Sequence, residues 1–464
     1  MGVAVSSWQL ARAVSTAGHL GVVSGTALDV VYARRLQDGD QGGHVRRAMA
    51  AFPVPAMAQR VLETYFLPDG RPTGRPYRTV PMYTLRPPVA LQELTVVANF
   101  CEVHLAKEGH DGAVGINYLR KIELPIPFAC LGAMLAGVDY VLVGAGSPAA
   151  VPELLDRLAR RDGVALSVRA QGTTSADGTF AVRCSPRALL GAGPPLLRPL
   201  LLAIVASTDL AAGLAADPAT RPDGFVVEGP TAGGHNAPPR GPRRVTAEGE
   251  PVYDERDLVD LDAIHALGLP FWLAGSQGSP EGLRSAVAAG AAGIQVGTAF
   301  AFSAESGLAD RLKRQVLRDL ATSGVSVRTD WRVSPTGFPF KVLSAAGTLS
   351  EPGVVAGRRP VCDIGALRTP FREADGTIGY RCPAEPPRTY LEHKGGRAAN
   401  TEGRQCLCNA LLAAVDLPQH RPHGYVEPAV VTAGNDLSAM TVLAGTCPDG
   451  APYPARAVLD FLDP

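Results

Sequence analysis

With 464 residues, 46% of them hydrophobic and 19% charged, the chain has the composition of a folded globular protein, one large α/β unit or two to three smaller domains. Basic and acidic residues balance at 44 each, which argues against nucleic acid or a membrane surface as a partner. No uncharged apolar run of about 18 residues occurs, and the N-terminus lacks the basic patch and apolar core of a signal peptide. A cytoplasmic protein without a membrane span is therefore expected.

Along the chain, short apolar runs alternate with helix-like stretches. Ser7–Ala17 reads as a helix and Leu20–Ser24 (LGVVS) as a buried strand. The pattern weakens between Gly42 and Ile116, and Ala51–Arg86 carries six prolines, which predicts an extended excursion. Strands are expected again at Ala113–Asn117, Tyr140–Gly144, Leu200–Ala206, Phe225–Glu228, Phe271–Ala274 and Gly293–Val296. Helices are expected at Phe128–Ala136, Pro152–Arg161 and Glu281–Gly290. Val164–Pro186 holds two alternating runs around Ala176-Asp177-Gly178 and predicts an inserted β-hairpin. Strand–helix alternation with seven continuous apolar strands points to a parallel sheet, one strand short of a (β/α)8 barrel.

The chemistry is written at three strand ends. Asp223–Asn236 (DGFVVEGPTAGGHN) runs from a buried strand into Glu228 and then Gly233-Gly234-His235. Paired glycines allow a flat ligand to approach the backbone, and an imidazole there titrates near neutral pH. An ordinary glycine turn with a surface histidine is the plainer alternative. Leu269–Ser279 (LPFWLAGSQGS) and Ala292–Phe300 (AGIQVGTAF) also stop at small residues. The backbone N–H groups of Gly275, Ser276, Gly278, Gly297 and Thr298 are placed to cradle a phosphate. Trp272 reads as barrel filling, and Cys130 and Cys184 as packing residues.

These segments, together with AVGINYL (Ala113–Leu119) and the opening GVAVSSWQLARAVSTAGHLGVVSG, resemble the nitronate monooxygenase (2-nitropropane dioxygenase) family over about residues 1–345. The resemblance implies an FMN-dependent TIM-type barrel, residues 1–330, with insertions at about 42–110 and 164–186. It implies His235 as general base, with Gly233, Gly234 and Asn117 at the flavin ring and Gly275, Ser276, Gln295, Gly297 and Thr298 at its phosphate. Asn117 is equally open to a simple turn-capping role. Two departures stand out: Glu228 replaces a flavin-binding glutamine, and Thr298-Ala299 replaces the common Thr-Arg. Members of the family begin with a strand leading into a Pro-Met-Gly or Gly-Met-Gly turn, whereas this chain opens inside that turn at Met1-Gly2-Val3. A start upstream of Met1 is the expected explanation, since a barrel with a gap exposes two strand edges.

Residues 331–464 form a loop-rich extension, comparable to the tail of longer family members, that holds five of the eight cysteines. Cys362, Cys382, Cys406 and Cys408 match no named zinc or ferredoxin spacing. Two readings stand: ligands of a structural metal or iron–sulfur cluster, or reduced thiols packed as small apolar groups.

The function expected is oxidation of an alkyl nitronate or related carbon acid by O2. One alternative is an NAD(P)H-using enoyl reductase acting in trans on a carrier protein in polyketide or fatty acid assembly. The other is a non-catalytic or redox-sensing barrel with a metal-binding tail.

Overall fold

The structure is a computed structural model and describes residues 2–174 and 177–463. Seven parallel strands form its centre: β1 Gly21–Ser24, β2 Val114–Leu119, β3 Tyr140–Gly144, β6 Leu200–Val205, β7 Gly224–Glu228, β8 Phe271–Ala274 and β9 Gly293–Gln295. They pair in that order, and the sheet curls as an open α/β barrel whose edges, β1 and β9, do not bond to each other. All seven expected strands are present, with ends shifted by no more than two residues. The alternation of side chains explains why the runs look continuously apolar. Leu142, Leu202 and Val226 point into the barrel with Trp272, while Ala203, Phe225 and Val227 pack outward under the helices.

Strands β4 (Val164–Val168) and β5 (Phe180–Cys184) form the expected antiparallel hairpin. Ala176, in its expected turn, lies outside the described residues, as does Met1. The excursion differs from its expected extended form, because Pro55–Tyr65 is a helix. Pro55 occupies the first turn, where a missing N–H costs nothing, and Met57, Ala58, Val61 and Tyr65 give it a buried face. The long helix Val89–Lys107 follows and is buried along most of its length. It packs against the helix Ile126–Leu135 so closely that a Cβ on Gly132 would lie 2.2 Å from the Val96 carbonyl oxygen.

The gap between the edge strands is occupied by the N-terminal turn. The Ser24 N–H donates to the Ser6 carbonyl (2.9 Å), the Ser6 hydroxyl to the Val22 carbonyl (2.5 Å), and the Gly307 N–H to the Val5 carbonyl (2.9 Å). Val5 joins Ile294 and Val296, beside β9, in one apolar cluster. Beyond Asp330 the chain folds back over the C-terminal ends of the strands. The hairpin β10 (Val327–Asp330) and β11 (Phe340–Leu343) begins this cover. Val333, Phe340, Leu367, Leu407 and Val430 form a small core of their own above Ile122.

Replacing Gly132 by alanine forces two buried helices apart. We expect a loss of about 1–3 kcal/mol, seen as a lowered thermal unfolding midpoint with unchanged far-UV circular dichroism.

Candidate active site

A cavity of about 340 Å3 opens at the C-terminal ends of the strands, under the tail. Asn117, Gly144, Val205, Glu228 and Gln295 reach it from five strands or their ends, and Gly233, Gly234 and His235 from the turn after β7. Binding at strand C-termini is where a parallel barrel converges its loops. Of the residues expected at a flavin, Asn117, Glu228, Gly233 and Gly234 line this cavity, and so does Gln295, which was expected at the phosphate and is separated here from Gly275, Ser276, Gly297 and Thr298.

The turn after β7 is shaped by the tail. Gly234 has φ +82°, a left-handed angle that favours glycine. Its N–H donates to Thr432 Oγ1 (2.9 Å), and its carbonyl accepts from the Lys341 N–H (2.9 Å). A Cβ on Gly233 would lie 2.9 Å from the Ala433 carbonyl carbon, so only glycine lets the tail strap sit here. His235 is half-buried, with its ring edge on Phe340 (4.9 Å between centroids) and Nε2 2.6 Å from Ser334 Oγ. Ser334 Oγ in turn lies 2.8 Å from Thr336 Oγ1. Burial, and then the charge of Lys121, push the imidazole well below its usual range, so His235 is neutral and basic groups around it set its chemistry.

Three further titratable groups surround it. Glu228 is raised to about 7 by burial, opposed by Lys121 and Lys341. Lys121 is lowered to about 7, again by burial, with Glu228 opposing, and its Nζ stands 3.3 Å over the Phe338 ring centroid. Lys341, almost fully buried, donates to Thr329 Oγ1 (2.8 Å) and is lowered to about 8 by burial against Glu250 and Glu228. Lys121, Lys341 and Ser334 were not among the residues singled out from sequence. A signal existed: only five of the 44 basic residues are lysine, and two of those five stand here. Arginine stays protonated, whereas lysine yields its proton when buried.

Gly275, Ser276, Gly297 and Thr298 do not line the cavity; they follow β8 and β9 beside it. The backbone N–H groups of Gly275, Ser276, Gly278 and Gly297 donate to no protein acceptor among the described residues. Gly275 has φ +94°, and a Cβ on Gly297 would meet nothing within 4 Å. Backbone N–H groups without a protein partner, grouped in two glycine loops at strand ends, suit an anion such as phosphate. Thr298 is differently engaged, since its Oγ1 accepts from the Gly434 N–H (2.9 Å). Within the cavity wall, Asn236 Oδ1 is buried without a partner among the described residues. The donor set and this orphaned acceptor fit a flavin mononucleotide.

The tail cysteines depart from one of their two expected readings. Cys362, Cys382, Cys406 and Cys408 gather in one region, close enough to influence one another's ionisation. Yet among the described residues no three His, Cys, Asp or Glu side chains are arranged to hold a metal ion. The reason lies in local packing. Burial pushes Cys362 up to about 12 and Cys382 upward as well. Cys408 is raised by its hydrogen bond to Cys406 and by burial, and it forms part of the cavity wall. Cys406 precedes the helix Leu407–Ala413, and its Sγ receives the Asn409 amide at 3.8 Å. Cys130 and Cys184 are buried in the main core, as expected, and no helix among the described residues is long and apolar enough to cross a membrane.

With this geometry in view, comparison with known proteins is informative. Residues 199–330 match the family model described as nitronate monooxygenase. The match covers less than a third of the chain. The matched stretch carries β6 to β9, Glu228, the Gly233-Gly234-His235 turn and both glycine loops. A 122-residue stretch is 33% identical to (3aS,4S,5R,7aS)-5-hydroxy-7a-methyl-1-oxo-octahydro-1H-indene-4-carboxyl-CoA dehydrogenase of Mycobacterium tuberculosis (strain ATCC 25618 / H37Rv). It covers 26% of this chain and 29% of the relative, so the chain spans under a third of that protein's length. Among solved structures, FabK from Thermotoga maritima superposes with a TM-score of 0.43 at 15% identity, covering 99% of this chain and 88% of its own. A nitroalkane oxidase from Streptomyces ansochromogenes gives 0.43 at 16% identity, covering 100% and 92%.

The lowered Lys121 makes a pH prediction. In the folded chain burial lowers Lys121 to about 7, whereas in the unfolded chain it keeps the ordinary lysine value of 10.5. Between these values the unfolded state binds more protons, so this group's contribution to stability rises with pH. Lys121→Met should therefore be stabilised relative to the native protein at pH 7, with the difference shrinking toward pH 10.5. Thermal unfolding of both proteins across that range measures it; a difference independent of pH would mean that Lys121 is not depressed.

Proposed function

We propose that the protein is an FMN-dependent oxidoreductase of nitronate monooxygenase type, oxidising an alkyl nitronate or related carbon acid with O2. The observation that carries this reading is His235, a neutral imidazole at a cavity wall, backed by Ser334 and flanked by Glu228 and Lys121.

In this reading the free N–H groups of Gly275, Ser276, Gly278 and Gly297 hold the phosphate of FMN, and Asn117, Glu228, Gly233, Gly234 and Gln295 face its ring. Thr298, bonded to the tail strap, acts by positioning that strap. FMN supplies the electron-accepting chemistry when bound. The chain's own residues supply the rest. His235 takes the acidic α-proton, and Ser334 orients the ring through Nε2. The new imidazolium would be costly beside a second cation, and a Lys121 poised near 7 can be neutral at that moment. Glu228, also poised near 7, offers a compensating negative charge. The tail and Phe338 exclude water, which strengthens each of these interactions.

The similarity to a carboxyl-CoA dehydrogenase favours a second reading, in which the carbon acid is an acyl thioester and a nicotinamide exchanges electrons with the flavin. The α-carbon of a thioester is also acidic, so the same base would serve. Anaerobic reduction of the flavin by NADPH, without O2-linked nitronate turnover, would select this second reading.

His235→Asn tests the leading one. Turnover of the neutral nitroalkane should fall by about 10²–10⁴, turnover of the preformed nitronate far less, and flavin absorbance should be retained. Equal losses with both substrates would assign His235 to binding instead of proton removal.

A further inference from the structure

Behind the main cavity lies a second chamber of about 100 Å3. The two share a wall that includes Thr26, Lys121, Ile122 and Ile364, so they are adjoining rooms of one space. The second chamber has a roof of its own, built from the excursion at Pro81 and Tyr83 and from the tail at Ile364–Pro370. Its volume corresponds to that of roughly three water molecules. It suits a small terminal group and not a second cofactor.

Most polar groups lining this chamber are already engaged. Tyr83 Oη lies 2.5 Å from Thr95 Oγ1, Tyr118 donates to Asn99 Oδ1 (3.0 Å), Asn99 donates to the Thr95 carbonyl (2.9 Å), and Arg368 donates to the Tyr83 carbonyl (2.8 Å). Two are not fully engaged. Thr26 is 7% exposed, and its Oγ1 has no hydrogen-bond partner among the described residues. Asp29, in the first turn of the helix Leu28–Gln37, accepts through Oδ1 from the Val30 N–H (2.9 Å) and also from its own backbone N–H, and no cation pairs with it among the described residues, so acceptor capacity remains. Burial raises Asp29 to about 6. A buried hydroxyl left unpaired, in a chamber whose wall also holds a buried carboxylate with no cation, carries a desolvation cost that a bound group would relieve.

We propose that this second chamber is a substrate subsite, and that the substrate is an extended carbon acid bearing a hydroxyl group remote from the reacting carbon. A hydroxyl offers the matching pair of functions, a donor for the remaining acceptor capacity of Asp29 and an acceptor for the unpartnered Thr26 hydroxyl. An ammonium would satisfy Asp29 alone and would meet the Lys121 amine in the same wall. The apolar side chains of Leu119, Ile122 and Ile364 in the shared wall suit the methylene spacer. The inference rests on the proposed carbon-acid chemistry for the head group and adds the far end of the molecule.

The test uses the full-length flavin-loaded protein with unbranched nitroalkanes, each compared with its ω-hydroxylated counterpart across chain lengths. One chain length should show a hydroxyl preference in kcat/KM of about 10- to 100-fold, as expected for a hydrogen bond to a charged group. Thr26→Val and Asp29→Leu should each remove most of that preference. Should Asp29→Leu fail to fold, Thr26→Val carries the test. Binding of nitro-free alkanols against the matching alkanes, followed by thermal shift, is read in parallel. If no nitroalkane is oxidised but alkanols still bind in preference and Thr26→Val abolishes it, the functional reading fails and the subsite stands. If nitroalkanes are oxidised with no hydroxyl preference at any chain length, the subsite is overturned while the functional reading stands.

Discussion

A parallel sheet that curls without closing must protect two unpaired edges, and the rest of this molecule is arranged around that constraint. At β1 the exposed backbone is met by the Ser6 carbonyl and hydroxyl, and at β9 the apolar faces of Ile294 and Val296 meet Val5. The same N-terminal turn then presents Gly2 and Val3 to the cavity. One short segment therefore serves both as the missing wall of the barrel and as part of the floor on which a flat ligand would lie. An unprotected edge here would be an aggregation surface, so the same turn that shields β1 also helps shape the cavity.

Closure also sets the electrostatics. With the sheet sealed below and the tail above, the groups at the strand ends lose solvent without gaining dedicated ion-pair partners. Glu228 and Lys121 are both driven toward neutrality by burial and only partly rescued by each other. A tight ion pair would have held both charged and inert. Loose coupling near pH 7 leaves a carboxyl, an amine and a neutral imidazole able to trade protons with little cost, which is what proton abstraction from carbon requires.

Legibility from sequence follows the same physics. The strands were readable because burial on both faces makes each a continuous apolar run, and the glycine loops because free N–H groups need residues without side chains. Thus Asn117, Glu228, Gly233, Gly234, His235 and Gln295, read from separate segments, meet in one cavity. The helix Pro55–Tyr65 was hidden by proline count, since what decides is where a proline stands and not how many there are. Lys121 and Ser334, single polar residues in loops, and Lys341, a lone lysine in β11, were missed because none belongs to a periodic polar pattern; only long-range packing brings them near His235. The tail cysteines showed the converse error, in which sequence clustering suggests a ligand set that local backbone geometry does not assemble.

The tail is best understood through Gly233 and Thr298. A side chain at 233 would strike the backbone at Ala433 and Gly434, and Thr298 accepts the Gly434 N–H at 2.9 Å. The strap Thr432–Asn435 thus bridges the histidine turn and the phosphate-type loop after β9, while residues Pro339–Lys341 bond along Gly234 and Asn236 from the other side. His235 sits between two pieces of tail that each hydrogen-bond its neighbours. An imidazole in an unsupported glycine turn would sample many rotamers; held from both sides, it keeps one orientation toward the cavity. The extension after Asp330 therefore contributes the rigidity that the base role proposed for His235 would need, and the two paired glycines are what allow it to approach closely enough to do so.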